Sequence, residues 1–206
     1  MNHLFKSSKR FMPTYIIIAL NIIVYCYTSW LSGNLIQISD HVLFHYGQVN
    51  YFVIYYGWYW QLFTAMFVHV NIMHLLGNML FLLIFGLRAE DLFAIHEYLL
   101  IYFLSGLAGN LLTLLLGFDM VSAGASGAIF GMFGACTIYV RRAIGQSIIG
   151  ALMYAVFLLV ISSGPTVNNL AHLGGLAVGL LIGYVMAVTR KFKVMHEYKY
   201  SFSAGS

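Results

Sequence analysis

"GASGAIFG", residues 124–131, sets a serine among glycines at the head of a run that continues through "MFGACTIYV" to residue 140. A stretch so apolar belongs in hydrocarbon, and the rest of the chain agrees. Of 206 residues 61% are hydrophobic and 8% charged, more apolar material than a soluble core needs. The chain therefore reads as an all-α integral membrane protein, because only helices or closed barrels satisfy their own backbone in lipid and these apolar runs have helical length. The open question is why a hydroxyl sits at residue 126 with so little bulk around it.

Working outward, the sequence predicts six membrane spans, at roughly 14–31, 63–87, 98–117, 124–140, 146–162 and 170–189. The net charge of +4 could suggest nucleic acid in a soluble chain, but here the placement of the charges carries the meaning, and no nucleic-acid partner is expected. Lys6, Lys9 and Arg10 precede the first span, Arg88 follows the second, Arg141 and Arg142 follow the fourth, and Arg190, Lys191, Lys193 and Lys199 follow the sixth. The opposite loops carry no Lys or Arg. That asymmetry puts both termini in the cytoplasm and requires an even number of crossings. The organisation is one bundle, 14–189, between basic cytoplasmic segments at 1–13 and 190–206, with no internal repeat. The N-terminal apolar run lacks a clear small-residue cleavage site and reads as a retained signal anchor. Cys26 and Cys136 lie in separate apolar runs, a pattern of packing rather than of a disulfide or thiolate metal site.

The longest outward loop, about 32–62, ends in "FHYGQVNYFVIYYGWYWQLF", residues 44–63, whose aromatic rings suit the headgroup boundary. Gln61, His69 and Ser122, near the outer span ends, are expected to line a wet cavity opening outward.

Polar groups inside hydrocarbon are costly, so His74, Asn78, Ser126 and His172 are the candidates for chemistry. Ser126 precedes Arg141 by fifteen residues. At about 1.5 Å per residue this puts the hydroxyl some 22 Å above the cytoplasmic helix end, roughly 8 Å beneath the outer surface of a 30 Å core. Membrane serines often only bond the carbonyl one turn back, which is the bland reading of Ser126. Its setting argues otherwise. Gly127, Gly131 and Gly134 smooth one flank of the fourth span, and Gly175, Gly179 and Gly183 smooth one flank of the sixth, a small-xxx-small pattern that lets backbones approach closely. His172 lies within about 60° of the second stripe, so the same packing would carry its imidazole toward Ser126.

A serine needs a base to take its proton as it attacks a carbonyl, and His172 is the base available. No span centre contains Asp or Glu, and Asp119 reads as a solvated turn residue, so a Ser126–His172 dyad is expected, with Phe130 one turn from Ser126 packing on the imidazole. His74 and Asn78, four apart on one face, can donate hydrogen bonds to an oxyanion, joined by backbone N–H groups at Ser126 where the fourth helix begins. His69 and His74 are five apart, about 140° around a helix, unlike an i,i+4 zinc pair, so no metal or other cofactor is expected. His69 reads equally as a structural histidine near water.

Together these residues resemble the rhomboid intramembrane serine proteases in their minimal six-span prokaryotic form. "GASG" matches the motif of the family's nucleophile at Ser126, "AHLGGLAVG" that of its base at His172, and "HLLGN" brings His74 and Asn78 to the positions beside the oxyanion. The resemblance implies a rhomboid-like bundle in a prokaryotic plasma membrane. It also implies cleavage of single-span membrane proteins near the outer face, sideways access from the lipid bilayer, and small side chains beside the scissile bond. It further implies that "SSGPTVNN", residues 162–169, caps the site and that Gly86 and Glu90 serve a structural hydrogen-bonding role. Two positions depart from the family pattern: Gln61 follows Trp60 where arginine is common, and Phe130 stands where tyrosine is common. Two other readings remain open, a catalytically inactive rhomboid-like protein that binds membrane clients and a proton relay through the intramembrane histidines. The relay would need polar residues continuing toward the cytoplasm, where the second, fourth and sixth spans are nearly all apolar.

Overall fold

A computed structural model of the protein describes residues 12–164 and 167–190. Nine helices are described: α1 (Pro13–Ser32), α2 (Asp40–Tyr46), α3 (Asn50–Tyr56), α4 (Gln61–Thr64), α5 (Ile72–Leu92), α6 (Ile95–Thr113), α7 (Ser126–Ala143), α8 (Ile148–Ile161) and α9 (Asn169–Thr189). Strand β1 (Gln48–Val49) pairs antiparallel with β2 (Val121–Ser122), Gln48 opposite Ser122. Local chemistry sets several of the ends. Pro13 opens α1, where its missing N–H costs nothing, and Gly33 closes it in the left-handed region at φ 63°. The carboxamides of Asn71 and Asn168 accept N–H bonds from the first turns of α5 and α9.

Helices α1, α5, α6 and α9 are each long and apolar enough to cross a membrane. Helix α7 has 18 residues and carries Arg141 and Arg142 in its last turn, and α8 has 14 residues. Five of the expected spans each meet one helix, but the second, which meets both α4 and α5, is corrected. It starts at Ile72, not near residue 63, and Arg88 falls inside it rather than after it. Residues 65–71 run instead through turns below α4, with Phe67 N–H bonded to the Thr64 carbonyl and Ile72 N–H to Ile36. The third span likewise slides toward the N-terminus, ending at Thr113 instead of residue 117. The basic segments expected at 1–13 and 190–206 lie outside the described residues except for Met12, Pro13 and Arg190.

The centre of the fold is the seam between α7 and α9. A Cβ built on Gly175 would overlap the backbone of Gly127, one on Gly179 the backbone of Gly131, and one on Gly183 that of Ala135. Main chains thus touch main chains through three successive turns, a contact that any larger residue would wedge apart. The third partner on α7 is therefore Ala135, while Gly134 faces Leu176 and Leu180. Helix α6 joins through Gly109, which abuts the Ala171 carbonyl, and Gly106, which abuts Met66 and Ala128. Tyr98, Tyr102, Leu82 and Met132 fill the core beside this seam.

Away from the serine the bundle is tied by polar contacts. The Thr14 N–H donates to Glu90 at 2.8 Å, Thr14 and Tyr98 share a hydroxyl bond of 3.0 Å, and a Cβ at Gly86 would meet Thr14 Oγ1 at 2.7 Å. Glu90 thus takes the hydrogen-bonding role anticipated for it across the α1–α5 contact, whereas Gly86 serves by close approach to Thr14. Arg190, at the end of α9, donates to the Leu92 carbonyl at 3.0 Å and the Tyr139 hydroxyl at 2.8 Å and pairs with Glu97.

Candidate active site

The first turns of α5, α7 and α9 meet at one end of the bundle and enclose a cavity of about 580 Å³ lined by His74, Asn78, Ser126 and His172. Ser126 is the first residue of α7 and His172 lies in the first turn of α9. The glycine seam below them brings Ser126 Oγ and His172 Nε2 to 2.9 Å. His172 is 7% exposed, and Phe130 stacks on its imidazole with ring centroids 4.3 Å apart and planes 20° from parallel. The other ring nitrogen, Nδ1, is buried with no hydrogen-bond partner among the described residues. Among the described residues no carboxylate orients this histidine through that atom.

Gly124 answers why the serine is flanked by glycine. Its φ of 134° is one that L side chains rarely adopt, and a Cβ there would meet His74 Cε1 at 2.8 Å. Bareness at 124 lets the His74 ring sit against the chain leading into Ser126. Bareness at 127 lets α7 lie on Ala171, whose carbonyl a Cβ there would meet at 3.2 Å. Ala125 occupies the N-cap of α7 and has no side-chain acceptor, so it leaves the first-turn N–H groups uncapped.

On α5 the Asn71 carboxamide accepts the His74 N–H at 2.7 Å, fixing the turn from which His74 projects. Asn78 lies one turn on and donates to the His74 carbonyl at 2.9 Å, leaving one of its amide hydrogens for another acceptor. The His69 and His74 rings are 5.2 Å apart, edge to face.

Two lining expectations are corrected. His69 is not a water-reached residue near a span end. It is fully buried in the turns ahead of α5, with Nδ1 3.3 Å from the Phe67 carbonyl. Gln61 does not line the cavity either. Its Oε1 accepts the Val49 N–H at 2.9 Å and its Nε2 donates to the Phe44 carbonyl at 2.8 Å. The Gln61 amide thus anchors the segment from Phe44 to Val49. Of the three expected lining groups Ser122 alone borders the cavity. Asp119 is exposed in a turn, as expected. The cap expected at 162–169 includes Pro165 and Thr166, which lie outside the described residues.

Sequence reasoning missed Asn71 and Asn168. Both precede apolar runs, and the helix N-cap preference was the signal that could have found them. It also missed Gln48, Asn50 and Asn110, a buried set in which Gln48 Nε2 donates to the Asn110 carbonyl at 2.9 Å and Asn50 Nδ2 to the Thr113 carbonyl at 2.8 Å. These amides fasten the loop between α2 and α3 to the end of α6.

With this arrangement in view, comparison with known proteins is decisive, because the Rhomboid domain family matches residues 56–189. The chain belongs to the rhomboid family. It is 32% identical over 178 residues to the protein named "Putative rhomboid protease YdcA" of Bacillus subtilis (strain 168), covering 82% of this chain and 85% of that one. It is 35% identical over 150 residues to RHOMBOID-like protein 1 of Arabidopsis thaliana, covering 67% of this chain and 37% of that protein. Over 134 residues it is 34% identical to Rhomboid-like protease 3 of Toxoplasma gondii, covering 60% and 50%. The chain spans less than half the length of the Arabidopsis relatives it matches. Family and apolar helices together make it a multi-pass integral membrane protein.

Proposed function

We propose that this rhomboid-family chain is an intramembrane serine endopeptidase that hydrolyses peptide bonds in or near the transmembrane segments of membrane proteins through a Ser126–His172 dyad. The observation that carries the reading is the 2.9 Å contact between Ser126 Oγ and His172 Nε2 inside a cavity of about 580 Å³.

In the tautomer with its proton on Nδ1, His172 accepts the Ser126 hydroxyl hydrogen through Nε2. As Oγ attacks the scissile carbonyl carbon, the proton passes to Nε2 and negative charge develops on the carbonyl oxygen. The free amide hydrogen of Asn78, the His74 ring and the uncapped N–H groups at the start of α7 stabilise that oxyanion. Collapse breaks the C–N bond, and the imidazolium gives its proton to the leaving amine. Water then loses a proton to Nε2, attacks the acyl carbon and releases Ser126, which recovers its hydrogen. With no carboxylate at Nδ1 among the described residues, the Phe130 ring holds the imidazole by stacking. No step calls for a metal or cofactor.

The reading includes six crossings with both termini in the cytoplasm, one bundle over 14–189, and residence in the plasma membrane of a prokaryote. Single-span membrane proteins reaching the cavity sideways from the bilayer are the substrates. The cavity wall supports this route. Met73 and Phe81 on α5 line it while remaining 72% and 46% exposed, so one side of the cavity is bounded by surface side chains.

The test is labelling by a fluorophosphonate, which phosphonylates an activated serine, in the intact chain, Ser126→Ala and His172→Ala. Labelling of the intact chain that both variants lose supports the dyad. Labelling that persists in Ser126→Ala removes the nucleophile, and an unlabelled intact chain that still binds membrane clients would make it an inactive relative.

A further inference from the structure

Among the described residues the imidazole of His172 has no hydrogen-bonded orienter at Nδ1, so its aim rests on the stacked Phe130 and on the placement of the first turn of α9. That turn is held by a set of bonds from one side chain. The Asn168 carboxamide oxygen accepts the Ala171 N–H at 3.0 Å, capping the helix. Its Nδ2 uses both hydrogens outside the helix, donating to Thr113 Oγ1 at the end of α6 at 2.7 Å and to Ser122 Oγ on β2 at 2.8 Å. The Asn168 carbonyl in turn accepts the His172 N–H at 3.3 Å.

Neither anchor is loose. Thr113 is fully buried and donates its own hydroxyl hydrogen to the Gly109 carbonyl at 2.9 Å, on the stretch of α6 that abuts Ala171. Ser122 lies four residues before Ser126, in the strand paired with β1. One side chain therefore joins the helix bearing the imidazole to the strand that leads to the hydroxyl and to the helix packed behind both.

We propose that Asn168 is a positioning residue that holds the Ser126–His172 distance by clamping the start of α9 to Thr113 and Ser122. The inference rests on the dyad reading above. Its mechanism is geometric. If the clamp is lost, α9 keeps its cap and seam but its first turn is free to shift, and a displacement of about 1 Å at a reacting pair costs up to about a hundredfold in rate.

Asn168→Ser separates the two duties, since serine caps a helix as well as asparagine but is too short to reach either anchor. The full chain in detergent is labelled with a fluorophosphonate, and kinact and KI are measured separately, with Tm alongside. Thr14→Val, which breaks the buried Thr14–Tyr98 hydroxyl bond at the far end of the bundle, supplies a destabilised control. The clamp predicts that Asn168→Ser lowers kinact about ten- to hundredfold with KI changed less than about twofold, while Thr14→Val lowers Tm without lowering kinact. It also predicts that adding Thr113→Val and Ser122→Ala to Asn168→Ser lowers kinact no further, because all three changes remove one unit. Wild-type kinact in Asn168→Ser, or a fall that Thr14→Val reproduces at equal loss of Tm, would overturn the clamp and leave the dyad standing. An unlabelled wild-type chain would overturn the dyad reading and the clamp with it.

Discussion

Helices α7 and α8 are neighbours in sequence and opposites in construction. Helix α7 buries twelve of its 18 residues and meets α9 backbone to backbone, whereas α8 buries Ala151 and Ala155 of its 14. Met153, Val156, Phe157 and Val160 on α8 are all at least 60% exposed. The candidate nucleophile and base both stand on the backbone-tight seam. Leu158 and Ser162, from α8 and its end, meet the same cavity as a side-chain wall. Glycine contacts fix a distance that side chains cannot relax, while a wall of apolar side chains can move its surface without disturbing the pair. Precision and adaptability are thus assigned to different flanks of one cavity.

The sharpest way to break this contrast is Gly179→Leu. Its side chain would overlap the Gly131 backbone, so the expected cost exceeds the roughly 1–3 kcal/mol of ordinary overpacking, with folded yield and fluorophosphonate labelling both lost. A folded, fully labelled Gly179→Leu protein would show that the seam does not set the site. Next in size, Asn78→Ala removes a proposed oxyanion donor and should lower turnover of a cleavable membrane substrate by about 10²-fold with little change in Tm. Gln61→Ala tests whether the outer loop belongs to the rigid flank. Leaving the Val49 N–H and Phe44 carbonyl without their side-chain partner should cost about 1–3 kcal/mol, read as a lower Tm. Phe130→Leu keeps apolar volume but removes the stacked ring, and should slow labelling by up to about tenfold, in line with roughly 0.5–1.5 kcal/mol for a ring pair. Smallest of all, Phe157→Ala on α8 should shift stability by no more than about 0.5 kcal/mol, as expected of a site with little packing to lose. A large loss there would mean that α8 is as firmly built as α7.

Much of this was legible in the letters because membranes punish exceptions. The glycine spacing on α7 and α9, the ring at Phe130 and the serine and histidine above them follow periodicities that a helix imposes, and the coordinates bring those side chains together. What escaped were features held by bonds that hydropathy does not register. "LFTAMFV", residues 62–68, is apolar enough to read as the start of a span, yet Thr64 Oγ1 donates to the Tyr46 carbonyl and Asn110 Nδ2 to the Leu62 carbonyl, holding this stretch in the segment between α1 and α5. Gln61 and His69 looked like cavity polar groups because their burial depends on contacts distant in sequence. Asn168 looked like one more loop residue, since its two outward bonds reach 55 and 46 residues away.

The two-residue ribbon of β1 and β2 has a consequence larger than its size. It splices the aromatic-rich outer segment to the strand that delivers Ser126, and the Asn50 and Tyr51 N–H groups extend the splice to Met120 and Phe118. Tyr55, Tyr56 and Tyr59 beyond it are each at least 60% exposed, rings of the kind that settle at the lipid headgroups. Through that splice Ser126 is tied to those rings, like a keel bolted to a float, so the level at which the tyrosines settle in a bilayer bears on the depth of its hydroxyl.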